Sequence, residues 1–214
     1  QTLNWDGFYA GAMYDLQNII NTNSDPATAA AAAEFGANAN QIAIARILKA
    51  YYFSVLTDAW GDVPYSQALK GNGTIPYDKQ ETIYPALIAE LKAANAQFTT
   101  GAAVQGDIMY AGNTTKWKKF ANSLIATLSL RMSKANPTLG KAEFAAAVAA
   151  GVIDANADNA TISYPGGNDQ NPVYAYYVVT QRFDYAVSST IADKLTALGD
   201  PRINVYGNNT KGFP

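Results

Sequence analysis

Residues 40–65, NQIAIARILKAYYFSVLTDAWGDVPY, decide the fold. Ile44, Ile47, Leu48, Tyr51, Tyr52 and Val55 recur at three- and four-residue spacing, which lays one apolar stripe along a helix, wide enough to be buried. A helix is predicted over 40–59. It must stop near Trp60-Gly61, because glycine suits a left-handed cap and Pro64 cannot continue a helix.

Working outward, the same spacing predicts further helices. One covers 4–20, with Trp5, Phe8, Tyr9, Ala12, Leu16, Ile19 and Ile20 as its stripe. A short alanine-rich helix is expected over 26–35, with Pro26 at its first position and Ser24 or Asp25 as its cap. Residues 62–78 read as a loop. A helix over 82–98 carries Ile83, Leu87, Ile88, Leu91 and Phe98, and Pro85 is expected in its first turn, where the amides have no partner to lose. Helices over 115–134 (Trp117, Phe120, Leu124, Ile125, Leu128, Met132), 141–150 and 189–198 follow. The stretch 154–184 is a long loop rich in Asn, Gly, Pro and Tyr, with Tyr174 to Thr180 as a strand candidate. Residues 1–214 thus read as one all-α domain of antiparallel hairpin pairs, with connections too long for a plain up-down bundle.

Composition narrows the function. The chain has 214 residues; 49% are hydrophobic and only 15% charged, against roughly 25% in an ordinary soluble domain. With 15 Lys+Arg against 17 Asp+Glu, the net charge is −2, and no basic stretch could neutralise a row of phosphates, so nucleic acid is not expected as a partner. Arg46 and Lys49 interrupt the most apolar run before it reaches membrane-spanning length. The absence of Cys and His removes disulfides, thiolate nucleophiles, thiolate or imidazole zinc sites and imidazole-based triads. Amides, hydroxyls and 14 tyrosines stand where charge usually stands, a surface suited to hydroxyl-rich ligands.

Several strings, in order, resemble one family. They are Ala45 to Phe53, Leu56 to Gly71, Tyr77 to Tyr84, Gly106 to Tyr110, Trp117 to Leu124 with Arg131-Met132-Ser133, and Asp200-Pro201-Arg202. Over about 160 residues this chain is similar to the SusD/RagB-like outer-membrane nutrient-binding lipoproteins, in the SusD-like branch. It departs from that pattern at Ile125 to Leu130, where a more basic helix is common, and the family's lipid-bearing cysteine is not among these residues. The resemblance implies degenerate tetratricopeptide-like hairpins with long loops, the N-terminal part of a SusD-like fold. It implies no catalysis and no cofactor. It also implies lipid anchoring at the outer face of the outer membrane, as the lid of a SusC-type TonB-dependent transporter, capturing oligosaccharides or, in some branches, peptides. Since members are longer, the chain is expected to be the N-terminal part of a precursor, with Asp200 to Pro214 as an exposed loop.

The candidate ligand-binding residues are Asn168, Asp169, Gln170, Tyr174, Tyr176, Tyr177 and Arg182, with Asn171 beside them. Acceptors, donors and rings close together are what a sugar site uses, and equally what a well-bonded surface loop or a transporter interface contains. Trp60 is expected to plug a helix end, with Asp62 bonding turn amides. Asp58 and Asp62 could alternatively form the carboxylate pair of a glycoside hydrolase. Asp154, Asn156 and Asp158 offer alternating oxygens for calcium, without the glycine and distal Glu of a full calcium loop. Arg202 is expected to pair with a carboxylate or loop carbonyls. A helical scaffold that binds protein or peptide alone is the remaining alternative.

Overall fold

The computed structural model describes residues 4–71, 73–182 and 187–207. They divide into two compact units, Gln1–Ile162 and Ser163–Pro214. The first contains α1 (Trp5–Gly7), a π turn (Phe8–Ala12), α2 (Met13–Ser24), α3 (Ala29–Ala32) with a 3-10 turn (Ala33–Phe35), α4 (Asn38–Trp60), α5 (Gln80–Gln97), α6 (Thr114–Arg131), α7 (Pro137–Ala150) and a 3-10 turn (Asn156–Asp158). The second contains α8 (Pro172–Tyr174), a π turn (Ala175–Val179), α9 (Ser189–Ala197) and α10 (Arg202–Gly207). Among the described residues no strand is present, and β-type pairing takes the form of isolated bridges such as Val63–Asp78 and Gly166–Asp169. The fold is all-α.

Side-chain bonds between helices fix their directions. Asn23 meets Gln41 and Gln17 meets Lys49, so α2 runs antiparallel to α4. Tyr84 reaches Asp58 at one end while Arg46 reaches Gln97 at the other, which makes α4 and α5 antiparallel. Asn122 binds the carbonyl of Gly151, and α6 and α7 cross so closely that a Cβ on Gly140 would lie 2.7 Å from the Ser129 carbonyl oxygen. Consecutive hairpins therefore stack sideways, and no single helix could bury its apolar face alone. Met13, Ile47, Leu56, Ile83, Leu87, Leu91, Trp117 and Leu128 are fully buried in one continuous core. Each contributes about 1.5–3 kcal/mol through removal from water.

Several helix boundaries differ from those predicted, each for a local reason. The predicted 4–20 helix breaks at Gly11, whose φ −105° and ψ −113° are not helical, and then continues to Ser24. Pro26 does not open the alanine helix. Asp25 instead forms a turn, its carboxylate accepting from Ala27 N at 2.9 Å, and α3 begins at Ala29. The start of α5 moves to Gln80 because the Asp62 carboxylate accepts its amide at 2.9 Å and the Gln80 side chain donates to Thr57 O at 2.6 Å. Pro85 thus stands in the second turn, where it removes one helical hydrogen bond. α7 starts at Pro137, not Lys141, with Asn136 as its cap and proline at the first helical position. Tyr174 to Thr180 is helical, not a strand, since Asn171 accepts from the amides of Val173 and Tyr174 and starts a turn. Arg202–Gly207 is a helix where a loop was expected; the exposure of Val205 and Tyr206 agrees with that expectation, and residues 208–214 lie outside the described residues.

Candidate functional site

The end of α4 builds an aromatic shelf. Gly61 adopts φ 75°, a left-handed conformation that a side chain would strain, and donates its amide to Thr57 O, which turns the chain sharply away. Trp60 is left as the last helical residue. It packs at the helix end against Trp5 and Phe8 yet stays 38% exposed. The Trp5 ring meets it edge-on at 5.2 Å, and Tyr77, 64% exposed, stacks on Trp5 at 6.1 Å with the planes 13° apart. Phe8 supports Trp60 from the side, at 6.3 Å. Tyr9 donates its hydroxyl to Pro64 O at 2.6 Å and ties the first helix to the loop after α4; burial, with Tyr77 and Asp78 nearby, pushes its pKa far up. A groove of about 400 Å³ adjoins the shelf at Trp5 and is lined further by Tyr9, Tyr14, Pro64, Leu69 and Ile75. Supported rings with free faces can stack on sugar rings, whose C–H faces are apolar and whose hydroxyls stay wet.

The carboxylates considered for hydrolysis have other employment. Asp58 accepts from the Tyr84 hydroxyl at 2.5 Å and pairs with the Arg131 guanidinium. Tyr84 is in turn pushed up to about 12, by burial first and then by that hydrogen bond. Asp62 caps α5. The calcium reading of Asp154 and Asp158 is corrected: both clamp the Lys119 ammonium, at 2.8 and 2.7 Å, so a side-chain cation already lies between them.

The residues singled out at 168–182 all belong to the second unit. Asn168 and Asp169 are exposed beside the Gly166–Asp169 bridge, and Gln170 is half-buried. Asn171 is a helix cap. Tyr174 is 52% exposed, Tyr177 is half-buried, and the Arg182 guanidinium lies over the Tyr176 ring at 5.5 Å. The segment thus brings Tyr176 and Arg182 together. At Asp200 the expected pairing is present, with Arg202 Nη2 at 2.5 Å, and hydrogen bonds from Arg202 bring the carboxyl down to about 2.

Sequence reasoning left three features unassigned. The Asp107 carboxylate gathers the amides of Met109, Tyr110 and Gly112 and accepts from the Trp117 indole at 2.7 Å, so one side chain organises the loop before α6. Asn40, fully buried, bonds Thr99 N at 2.8 Å and Thr99 O at 3.3 Å. The third is the meeting of Trp5 with Tyr77. Only the Asp107 spacing before a glycine turn was visible locally, since the other two join positions 59 and 72 residues apart.

A family model for SusD-like proteins, described as starch-binding and associating with the outer membrane, matches residues 1–213. Among solved structures, a chitin-binding protein is 33% identical with a TM-score of 0.79, and the match covers 94% of this chain and 41% of that one. A chitin-binding SusD homologue from Flavobacterium johnsoniae is 29% identical (TM-score 0.77; 93% and 40% covered). A SusD homologue from Bacteroides uniformis is 30% identical (TM-score 0.75; 94% and 41% covered). The chain therefore spans about two fifths of the length of these structures. No match was found among curated proteins.

Proposed function

The chain belongs to the SusD-like family, and from that premise we propose that it captures oligosaccharides at the cell surface, as part of the lid of a SusC-type TonB-dependent transporter held at the outer membrane by a lipid anchor. The observation that carries this reading is the shelf of Trp5, Trp60 and Tyr77, in which Trp5 contacts both other rings and lines the adjoining groove while Trp60 and Tyr77 stay exposed. Relatives described as chitin-binding support a glycan over a peptide as ligand. No catalytic step belongs to this reading, since Asp58 and Asp62 are engaged in pairing and capping.

Asn168, Asp169, Gln170, Tyr174, Tyr176, Tyr177 and Arg182 form a second proposed contact set, supported by the guanidinium resting on the Tyr176 ring. Among the described residues, no helix is long and apolar enough to cross a membrane.

Calorimetric titration with chito- and malto-oligosaccharides, beside a peptide panel, tests the reading. Saccharide binding that weakens about tenfold in Trp60→Ala and about threefold in Tyr77→Ala is expected, because each loses one stacking face. Binding of peptides alone would favour the interaction-module alternative, and release of reducing sugar would favour a hydrolase.

A further inference from the structure

Beyond the shelf lies a second, more polar cavity of about 240 Å³, enclosed by Gln17 of α2, Lys49 and Phe53 of α4, the 65–70 loop and Glu90 of α5. It is smaller than a drug-sized pocket and suits a ligand about as large as one sugar ring. Ala68 and Leu69 line both this cavity and the aromatic groove, so one loop forms the wall between them.

The charges in it do not balance. Glu90 is held in a two-pronged pair by Arg46, at 2.7 and 2.8 Å, and Arg46 uses its remaining nitrogen on Gln97. Asp78 is occupied by Ser66 and the Tyr65 amide. Lys49, largely shielded from water, donates to one neutral oxygen, Gln17 Oε1 at 2.8 Å, and Lys70 likewise to Gln67 Oε1 at 3.2 Å. Each ammonium has three protons to place. Desolvation accordingly lowers the pKa of Lys49, with the positive charges of Arg46 and Lys70 adding to it against Glu90. The Tyr65 hydroxyl has no hydrogen-bond partner among the described residues and stays protonated, its pKa pushed up to about 12 by burial and then by the Glu90 and Asp78 charges. Its ring packs edge-on against Phe53 at 4.9 Å, and both residues line the cavity. Leu69 has φ 64°, a left-handed conformation that leucine rarely adopts, so the wall is held in a shape its own backbone disfavours.

We propose that this cavity receives the carboxylate of a sugar acid, a hexuronate unit, with Lys49, Lys70 and Tyr65 as donors and Phe53 and Leu69 as the apolar wall. The inference rests on reading the chain as a saccharide binder and names the chemical class that the neighbouring pocket selects. One negative charge offsets Lys49, the ammonium shielded from water, while the exposed Lys70 is also hydrated; a phosphate dianion would set its second charge against Glu90. A neutral sugar would leave both cations as they are.

Titration of the 214-residue chain with D-glucuronate, glucose and glucose 6-phosphate, followed by backbone amide shifts, is the test. Glucuronate should bind at least tenfold more tightly than glucose and more tightly than the phosphate, shifting the 65–70 amides. Lys49→Gln should lower that affinity about tenfold and the exposed Lys70→Gln about threefold. Should Lys49→Gln fail to fold by circular dichroism, Lys70→Gln carries the test. Equal affinity for glucuronate and glucose, preference for the phosphate, or unchanged glucuronate binding in the folded variants overturns the proposal. Neutral oligosaccharides binding at the shelf without glucuronate preference would sink this inference and leave surface capture standing. Glucuronate binding through the lysines with no oligosaccharide response at the tryptophans would do the reverse.

Discussion

The α4–α6 stack and the 163–207 segment contain similar residues and use them differently. In the stack, Ile47, Leu56, Leu87, Leu91 and Leu128 are fully buried, while in the segment Val173, Tyr174, Val178, Val179, Leu198 and Val205 are each more than half exposed and, among its described residues, the buried apolar ones are Ala192 and Leu195. A leucine contributes to stability only where a second helix covers it. Periodicity in the sequence marks where cover is available, and composition alone does not.

The sharpest way to break this contrast is a pair of truncations. Leu87→Ala should cost about 2–5 kcal/mol, because it removes buried methyl groups and leaves a cavity. That corresponds to roughly 2–4 °C in melting temperature per kcal/mol. Leu198→Ala, at a position 65% exposed, should stay within about 0.5 kcal/mol. Thermal unfolding of the two variants in one buffer compares them, and equal losses would erase the distinction between the regions.

A smaller effect is expected at Asn40→Ala, which leaves the Thr99 backbone amide without its buried partner. About 1–3 kcal/mol should be lost, and the amide of Thr99 should exchange faster with solvent while those of mid-α6 do not. Exchange unchanged at Thr99 would show that the α5 exit is held by other means.

Acid sharpens the comparison further. The hydrogen bond from Arg46, against partial burial, keeps the Glu90 carboxyl below the ordinary carboxylate range. Its folded pKa is depressed, so its contribution is fully present above the unfolded pKa and disappears as pH falls through the folded one. Glu90→Gln should therefore flatten the acid limb of stability measured by denaturant titration from neutral pH downward. Asp200, in the other region, is partly covered, its side chain 16% exposed, and its titration by carbonyl NMR should give about 2, returning toward the ordinary range in Arg202→Ala. The smallest stability effect belongs to this last variant, because Arg202 is exposed and water and salt screen its charge.

What the sequence made legible follows the same division. The stripe in residues 40–59 gave α4 to within a few residues, because burial, spacing and the Gly61 stop all agree there. α7 begins four residues before the predicted 141–150, because the apolar spacing does not register Asn136-Pro137, a capping asparagine followed by proline at a first helical position. Trp60 is legible as packing at a helix end but the shelf around it is not, because local sequence carries no trace of Trp5 or Tyr77, which arrive from 55 residues before and 17 after. The tyrosine-rich 168–182 segment was legible as composition but not as geometry: Asn171 turned a supposed strand into helix through its side chain. Non-local polar bonds such as Asn40 to Thr99 have no period to betray them.

The central claim is that saccharide lands on the shelf at the end of α4. The chain has three tryptophans, whose indole N–H signals separate in a proton–nitrogen spectrum, and the buried Trp117, bonded to Asp107, serves as internal control. Titration with chito-oligosaccharide should shift the Trp5 and Trp60 indoles saturably and leave Trp117 in place. Saturable binding that moves neither Trp5 nor Trp60, or no binding of any oligosaccharide, contradicts the account.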